Sequence, residues 1–159
     1  MGGNLFLLVI PQNQFCEQQL FDLKKILEEG AGECRILSKS GKETKSDTKS
    51  LFQPDAMLVD WNRFLQGKQK YDAVIVIGGK GAKSSIWEDP ILPQILTDHF
   101  RAGKILGAFG LSVVALARAG LVSRCEVSAQ KEEAFLKELD DVGCLLYTSP
   151  SPRDGLLSR

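Results

Sequence analysis

The sequence predicts an α/β fold, in which a mainly parallel sheet carries helices on both faces. Short apolar runs alternate with amphipathic stretches along the chain, which is the pattern of β–α–β units. The strongest runs, at 4–10 and 71–77, are apolar almost throughout, and this is typical of parallel strands that are buried on both faces. Glycine or proline bounds several of the elements, as expected where short connections join strands to helices.

In the first part of the chain, two strands and one helix are predicted. The strand at 4–10 is followed by a helix over 17–29, and Gly30 ends that helix. The helix prediction rests on apolar residues at helical spacing, namely Leu20, Leu23, Ile26 and Leu27. A second short strand is expected at 34–37.

The next stretch carries weaker signals. The polar and charged run 38–50 predicts a surface loop or an irregular hairpin, since Gly41 interrupts it and it has no apolar face. The run 52–60 predicts an extended segment with a turn at Pro54, and a single helical turn is expected at 61–65.

The second half continues the alternation of strands and helices. The strand at 71–77 leads directly into a glycine-rich turn. The further predicted elements are a helix over 90–101, a strand at 104–109, a helix over 112–119, a strand at 125–128, a helix over 131–139 and weaker strands at 144–147 and 155–157.

Size and charge narrow the classes of function. The 159 residues correspond to one domain at roughly 100–200 residues per domain, so we expect a single domain over 1–159. The chain has 20 basic and 20 acidic residues, and this balance argues against a nucleic-acid partner or a polybasic membrane adaptor. No apolar run approaches the ~20 residues of a membrane span, and the run 5–10 lacks the flanks of a signal peptide. We therefore expect a cytoplasmic protein.

Cysteine and histidine usage predicts neither a metal site nor a disulfide framework. The four cysteines are far apart and form no CxxC pair, and the chain has one histidine. That residue, His99, is interpreted as structural rather than as a catalytic base. Cys16 opens the first helix, where it is either a thiol with raised thiolate character or a small, half-buried apolar residue. No metal and no cofactor are expected.

In an open α/β sheet, ligands bind beyond the carboxyl ends of the strands. One such end carries the run GGKGAKS at 78–84. This run fits neither GxxxxGK[ST] nor GxGxxG, so it is either a tight turn that needs glycine or a nest of N–H groups for an anion. Another strand end carries Gly110 between a strand and a helix, in the arrangement of a nucleophile elbow. Glycine at this apex supplies no nucleophile.

Four segments together resemble the ThiJ/PfpI family within the class I glutamine-amidotransferase-like superfamily. They are IPQNQFCEQQLFDLKKILEEGAG, QPDAMLVD, YDAVIVIGGKGA and GKILGAFGLSVVALARAGLV. The resemblance runs from about residue 4 to residue 122, and more loosely to the end. It implies a flavodoxin-like three-layer sandwich, commonly dimeric. It also implies a function within a group of glyoxalase-type and deglycase-type enzymes, amidases, stress proteins and non-catalytic relatives.

The resemblance places the site residue by residue. The family's reactive cysteine falls on Gly110, and its neighbour, an oxyanion-type backbone donor, falls on Leu111. The glutamate that adjusts the cysteine's pKa falls on Gln19, whereas the paired glycines are kept as Gly78 and Gly79. Thiolate chemistry needs both a thiolate and a group that handles its proton. Because both are replaced, we expect a non-catalytic or weakly active member with a binding or stress-related role.

Two alternatives remain open. Cys16 lies one helical turn before Gln19, so it is a candidate substitute nucleophile for an active glyoxalase, deglycase or amidase. A flavodoxin-like nucleotide binder would instead use the turn at 78–83. The expected partners are a small molecule in the residual pocket, formed by Gly78, Gly79, Gln19, Cys16, Gly110 and Leu111, and a second copy of the chain. The family's closing C-terminal helix is expected to be absent, because the sequence ends in GLLSR.

Overall fold

The computed structural model describes residues 4–65, 67–119, 126–128 and 145–147. The strands in these regions are β1 (Leu5–Val9), β2 (Glu33–Ser38), β3 (Thr44–Lys45), β4 (Leu51–Phe52), β5 (Ala56–Met57), β6 (Ala73–Val76), β7 (Ile105–Ala108), β8 (Glu126–Ser128) and β9 (Leu145–Tyr147). The helices are α1 (Glu17–Glu29), α2 (Ala82–Ser85), α3 (Leu92–Arg101) and α4 (Val113–Arg118), with 3-10 turns at Leu58–Phe64 and Gly110–Ser112.

Five strands form one sheet in the order β5–β2–β1–β6–β7, and every pairing within it is parallel. The chain leaves β1 towards β2 on one side and later continues through β6 on the other side. The carboxyl ends of β1 and β6 therefore flank a topological switch point, where ligands bind in open α/β sheets. Two further pairs form separate sheets: β3 with β4, antiparallel, and β8 with β9, parallel.

Strand β1 shows why helices are needed on both faces of the sheet. Leu7 and Val9 lie in a core cluster that includes residues of α3 and α4. Leu8 and Ile10 lie in the other core cluster, together with Leu20 of α1. Successive side chains of a strand point to opposite faces, so a strand that is apolar at nearly every position must be covered twice. The α/β prediction, with a mainly parallel sheet and helices on both faces, is confirmed.

Helix α1 has the predicted bounds, Glu17–Glu29, and the strong strands lie within their predicted runs. The prediction of extended chain over 52–60 is wrong at its end, because a 3-10 helix begins at Leu58. The apolar run 56–59 is too short for its periodicity to distinguish a strand from a helix. The single turn predicted at 61–65 is the second half of this same element.

Two helix starts also differ from the predictions. Helix α3 begins at Leu92 rather than at residue 90. The residues before it form a turn, in which the Asp89 carboxylate accepts hydrogen bonds from the N–H groups of Ile91 and Leu92 at 2.8 and 2.9 Å. The helix predicted over 112–119 is preceded by the 3-10 turn that begins at Gly110. Helix α2 was not predicted, because its four residues are too few to show a helical periodicity of apolar residues.

Several predictions concern other parts of the chain. The helix predicted at 131–139, the strand predicted at 155–157 and the prediction about a closing helix concern residues outside the described ones, where Cys125 and Cys144 also lie. Within the described regions, no helix combines the length and hydropathy needed to cross a bilayer. Those regions also contain no group of three or more His, Cys, Asp or Glu side chains arranged to hold a metal ion.

Candidate functional site

A pocket of about 340 Å³ lies where the chain leaves β1, β6 and β7. This is within the size range of small-molecule sites. Its lining residues are Gln14, Cys16, Gln19, Asp47, Gly79, Lys80, Gly110 and Leu111. Five of the residues expected at the site from the sequence, namely Cys16, Gln19, Gly79, Gly110 and Leu111, therefore meet in one cavity.

The connection from β1 to α1 is held by backbone hydrogen bonds to neighbouring loops. The N–H of Cys16 donates to the carbonyl oxygen of Gly78 at 2.8 Å, and the N–H of Gln14 donates to the carbonyl oxygen of Lys45 at 2.8 Å. Between them, the side chain of Phe15 is fully buried and its backbone forms bridges to Ser46 and Gly79. This connection is therefore fixed from both sides, and with it the start of α1.

Gln19 is tied to the end of β6 by its side chain. The N–H of Gly78 donates to Oε1 of Gln19 at 3.0 Å. A β-carbon on Gly78 would lie 3.1 Å from this oxygen and 2.7 Å from the carbonyl oxygen of Phe109. Glycine at 78 thus allows α1, β6 and the residue that follows β7 to approach one another closely.

Gly79 occupies a position that no other residue fits well. Its φ of +135° is disfavoured for residues with a side chain. A β-carbon there would lie 2.8 Å from Cα of Phe15 and closer still to the carbonyl oxygen of Gln14. The tight-turn interpretation of the glycine-rich run is therefore sufficient to explain this glycine.

Gly110 begins the 3-10 turn after β7, with a φ of +54°. The turn is closed by the N–H of Ser112, which donates to the carbonyl oxygen of Phe109 at 3.0 Å. Ser112 also donates from its hydroxyl to the carbonyl oxygen of Ile77 at 2.7 Å. On the other side, the indole N–H of Trp87 donates to the carbonyl oxygen of Leu111 at 2.7 Å. The apex is thus rigidly placed and carries no side chain.

The pocket contains one residue of each charge, Asp47 and Lys80. One oxygen of Asp47 accepts the N–H of Glu17 at the start of α1, at 3.3 Å. Hydrogen bonds from Thr48 and Ser46, both 2.7 Å long, and from Ser50 lower the pKa of the Glu17 carboxyl. Glu17 itself does not belong to the pocket lining, so it stabilises the loop rather than acting in the site.

The two described cysteines differ in their surroundings. Cys16 is half-buried and lines the pocket. Cys34 lies on β2 in the core cluster that packs against α1, and burial raises the pKa of its thiol to about 11. At neutral pH Cys34 therefore remains a thiol, and thiols are poor nucleophiles.

His99 is fully buried on α3 and lies outside the pocket. Its Nε2 accepts the N–H of Tyr71 at 3.1 Å, so the proton of the neutral ring is on Nδ1, which donates to the carbonyl oxygen of Ile95 at 2.7 Å. The ring also stacks on Tyr71 with centroids 5.9 Å apart. Both ring nitrogens are occupied by backbone groups, which agrees with the structural role predicted for this histidine.

Three lining residues were not predicted as site residues: Gln14, Asp47 and Lys80. Lys80 follows the paired glycines, and the sequence indicates a role for it only within the turn at 78–83 that a nucleotide binder would use. Asp47 comes from the polar loop between β3 and β4, about 30 residues after the α1 N-terminus that it caps. The sequence carries no signal for that contact.

Comparison with known proteins places this arrangement in a family. The model of the DJ-1/PfpI family matches residues 6–149. An uncharacterized protein of Methanocaldococcus jannaschii is 23% identical over 139 residues, which are 87% of this chain. The chain spans 65% of the length of that relative, less than two thirds.

Solved structures agree in fold. A ThiJ/PfpI domain protein from Brachyspira murdochii superposes with a TM-score of 0.79 at 19% identity, over 93% of this chain and 82% of the other. Drosophila melanogaster DJ-1beta gives a TM-score of 0.73 at 16% identity, over 97% of this chain and 79% of the other. At these identities the likeness concerns the fold alone.

Proposed function

The chain belongs to the DJ-1/PfpI family, and we propose that it is a member without the family's thiol catalysis, whose pocket binds a small molecule. The role that we propose is one of binding, for instance in a stress response, rather than of turnover. The observation that carries the proposal is that Gly110 and Gln19 line the same pocket. The sequence resemblance places the family's cysteine and glutamate at these two positions.

Chemical requirements support this proposal. A nucleophilic thiol needs a group that accepts its proton. Gly110 has no side chain, and the Gln19 amide cannot take up a proton at ordinary pH. The Gln19 oxygen is already engaged with the N–H of Gly78 at 3.0 Å. What remains is a shaped cavity with hydrogen-bonding groups, which serves binding without covalent chemistry.

The test is the consumption of methylglyoxal by the purified, unmodified chain. We expect the rate to equal that of a Cys16→Ser variant and of buffer that contains an inert protein. Consumption that is faster in the unmodified chain, proportional to protein concentration and retained after repeated purification, would contradict the proposal.

A second candidate function, in which Cys16 is the nucleophile, is favoured by one observation. Cys16 is half-buried and lines the same pocket as Gln19 and Gly110. An enzyme of this kind would lose its methylglyoxal consumption in the Cys16→Ser variant. The same comparison therefore separates the two candidates. A nucleotide-binding role for the turn at 78–83 is tested separately, by the absorbance of any nucleotide or flavin that is released from denatured protein.

The quaternary state is also a proposal. We expect a homodimer, and exposed apolar side chains near α1 support this: Phe21 is 41% exposed and Leu51 is 60% exposed. Phe21 of α1 packs edge-on against Phe52 of β4 with ring centroids 5.7 Å apart. Helix α1 and strand β4 therefore contribute to the same surface. Light scattering of the unmodified chain and of a Leu51→Lys variant tests the dimer. A monomeric mass for the unmodified chain would contradict it.

A further inference from the structure

The orientation of the Gln19 amide determines what the pocket offers to a ligand. A backbone N–H can only donate, so the atom of Gln19 that faces Gly78 N–H at 3.0 Å must be the carbonyl oxygen, Oε1. The amide nitrogen Nε2 is then the remaining polar group, and its two protons meet no acceptor among the described residues. An ionised glutamate at this position would present only acceptors. The replacement therefore converts an acceptor of the pocket into a donor.

Lys80 adds a positive charge to the same lining. Its side chain is exposed and forms no ion pair within the described parts of the chain. The backbone on either side of it is constrained, because Gly79 lies against Phe15 and Ala82 begins a helix. The Lys80 ammonium group and the Gln19 amide nitrogen thus belong to the lining of one cavity. Both are hydrogen-bond donors, and a carboxylate, which only accepts hydrogen bonds, is the type of ligand group that they suit.

The pocket also contains one group of opposite charge. Asp47 lines it with a carboxylate, of which one oxygen is held by the N–H of Glu17 at a long 3.3 Å. This side chain disfavours a second negative charge on a ligand and can accept a hydrogen bond from a hydroxyl or an ammonium group. Gly110 lines the same pocket and contributes no side chain to it, which leaves room for a ligand of a few heavy atoms.

From this arrangement we propose that the pocket selects small carboxylates that carry a hydroxyl or ammonium group next to the carboxylate. Gln19 Nε2 and Lys80 donate hydrogen bonds to the carboxylate, and Asp47 accepts a hydrogen bond from the neighbouring group. The inference rests on the proposed function in one respect: it needs the pocket to bind its ligand reversibly. It makes no use of a thiol.

The test compares three probes of similar size by calorimetric titration and by the NMR signals of the Gln19 side-chain amide. Glycolate has both features, acetate lacks the hydroxyl, and glycolamide lacks the charge. Charge-assisted hydrogen bonds are stronger than those between neutral groups, so we expect glycolate to bind at least about tenfold more tightly than glycolamide. Acetate should be weaker than glycolate, and glycolate should shift the Gln19 amide signals.

Two variants and one control assign the effect to the named groups. Gln19→Glu keeps an oxygen for the Gly78 N–H and so preserves the fold, but it removes the donor. We expect it to weaken glycolate at least about tenfold, and Lys80→Gln to weaken it several-fold. Lys39→Gln, which removes an exposed lysine outside the pocket lining, should leave binding unchanged.

Equal affinities for glycolate and glycolamide, no binding of any probe, or unchanged glycolate binding in both pocket variants would overturn the ligand assignment. These outcomes are distinguishable from failure of the proposed function. If the unmodified chain consumes methylglyoxal while glycolate still ranks first, only the absence of catalysis is refuted. If the chain is inert and glycolate does not bind, only the ligand class is refuted.

Discussion

The side-chain oxygen of Gln19 accepts the N–H of Gly78 at 3.0 Å, which joins the first helix to the end of β6. Gly78 also lies so close to Phe109 that a β-carbon would come within 2.7 Å of its carbonyl oxygen. The end of the next strand is thereby brought to the same point. One hydrogen bond thus lies at the junction of the three chain segments that form the pocket.

Replacing Gln19 by leucine should destabilise the protein, because the buried Gly78 N–H loses its acceptor. An unsatisfied buried donor costs about 1–3 kcal/mol, and chemical denaturation should show a loss of that size. Gln19→Glu retains an oxygen at this position and should lose clearly less stability. Equal losses in both variants would mean that packing, rather than the hydrogen bond, accounts for the effect.

The paired change Gly110→Cys and Gln19→Glu should create a reactive thiol in the pocket. It supplies both the nucleophile and the carboxylate that the resemblance assigns to these positions. Because the backbone at 110 has a φ of +54°, the cysteine should also cost about 1–3 kcal/mol of stability. Mass spectrometry after brief treatment with iodoacetamide measures the reactivity, and Gly110→Cys alone shows what the carboxylate adds. A thiol at 110 that reacts no faster than a free-cysteine peptide would show that the residue assignment is wrong.

Gly79→Ala should be far more destabilising than Gly103→Ala, although both residues have positive φ values, +135° and +77°. A β-carbon at 103 would meet no atom within 4 Å, whereas one at 79 would lie 2.8 Å from Cα of Phe15. The control variant carries the cost of a positive φ without a steric clash, about 1–2 kcal/mol, and the greater loss at 79 combines the clash with the less favourable φ. We expect Gly79→Ala to lose at least about 3 kcal/mol in thermal or chemical unfolding. Similar losses at both positions would contradict the close approach of the two loops.

The sequence predicted the parts of the fold that repeat a pattern. Helix α1 has its predicted bounds because apolar residues recur along it at helical spacing and Gly30 follows it. The strands β1 and β6 were evident because burial on both faces requires unbroken apolar runs. Helix α2 was missed because four residues contain a single turn, which carries no periodic signal.

The candidate site was predictable only where the strand-end rule applies. Gln19, Gly79 and Gly110 follow the strands or begin the helices of the sheet, so their meeting could be inferred from topology. Asp47 could not be found in this way. Its position depends on backbone contacts of a polar loop, such as the bond from the N–H of Asp47 to the carbonyl oxygen of Phe15 at 2.8 Å. Such bonds use main-chain atoms, which every residue has, so they do not depend on the identity of the residue. The amino-acid sequence therefore does not reveal them.

Cys16 and Cys34 should differ strongly in their reaction with maleimide. Burial raises the pKa of Cys34 to about 11, which reduces its thiolate fraction at neutral pH by roughly a hundredfold relative to a thiol of pKa 9. The experiment uses a background with Cys125 and Cys144 replaced by serine, and peptide mapping assigns the label. We expect Cys16 to be labelled in the folded protein and Cys34 only after unfolding. If Cys34 were labelled as fast as Cys16 under native conditions, this would contradict the buried position of Cys34 on β2.

His99 should make the stability depend on pH below about 6.5. Its burial lowers the pKa of the ring below the ordinary value of 6.5, an effect that outweighs the bond to the Ile95 carbonyl, which raises it. As the pH falls through 6.5, the unfolded chain takes up a proton before the folded protein does. The folded protein therefore loses up to about 1.4 kcal/mol of stability per pH unit until the pH reaches the folded pKa of the ring. Above this window the ring is neutral in both states, and it contributes no further change. Because the chain has one histidine, denaturation curves of His99→Gln between pH 5 and 7 isolate the effect; the charged groups nearest to the ring, Lys70, Lys104 and Asp98, are unchanged in this variant. We expect the variant to be less stable at pH 7 but nearly independent of pH over this range. A slope equal to that of the unmodified chain would show that another group takes up the proton, and that the contact between Nε2 and the N–H of Tyr71 does not hold the ring neutral.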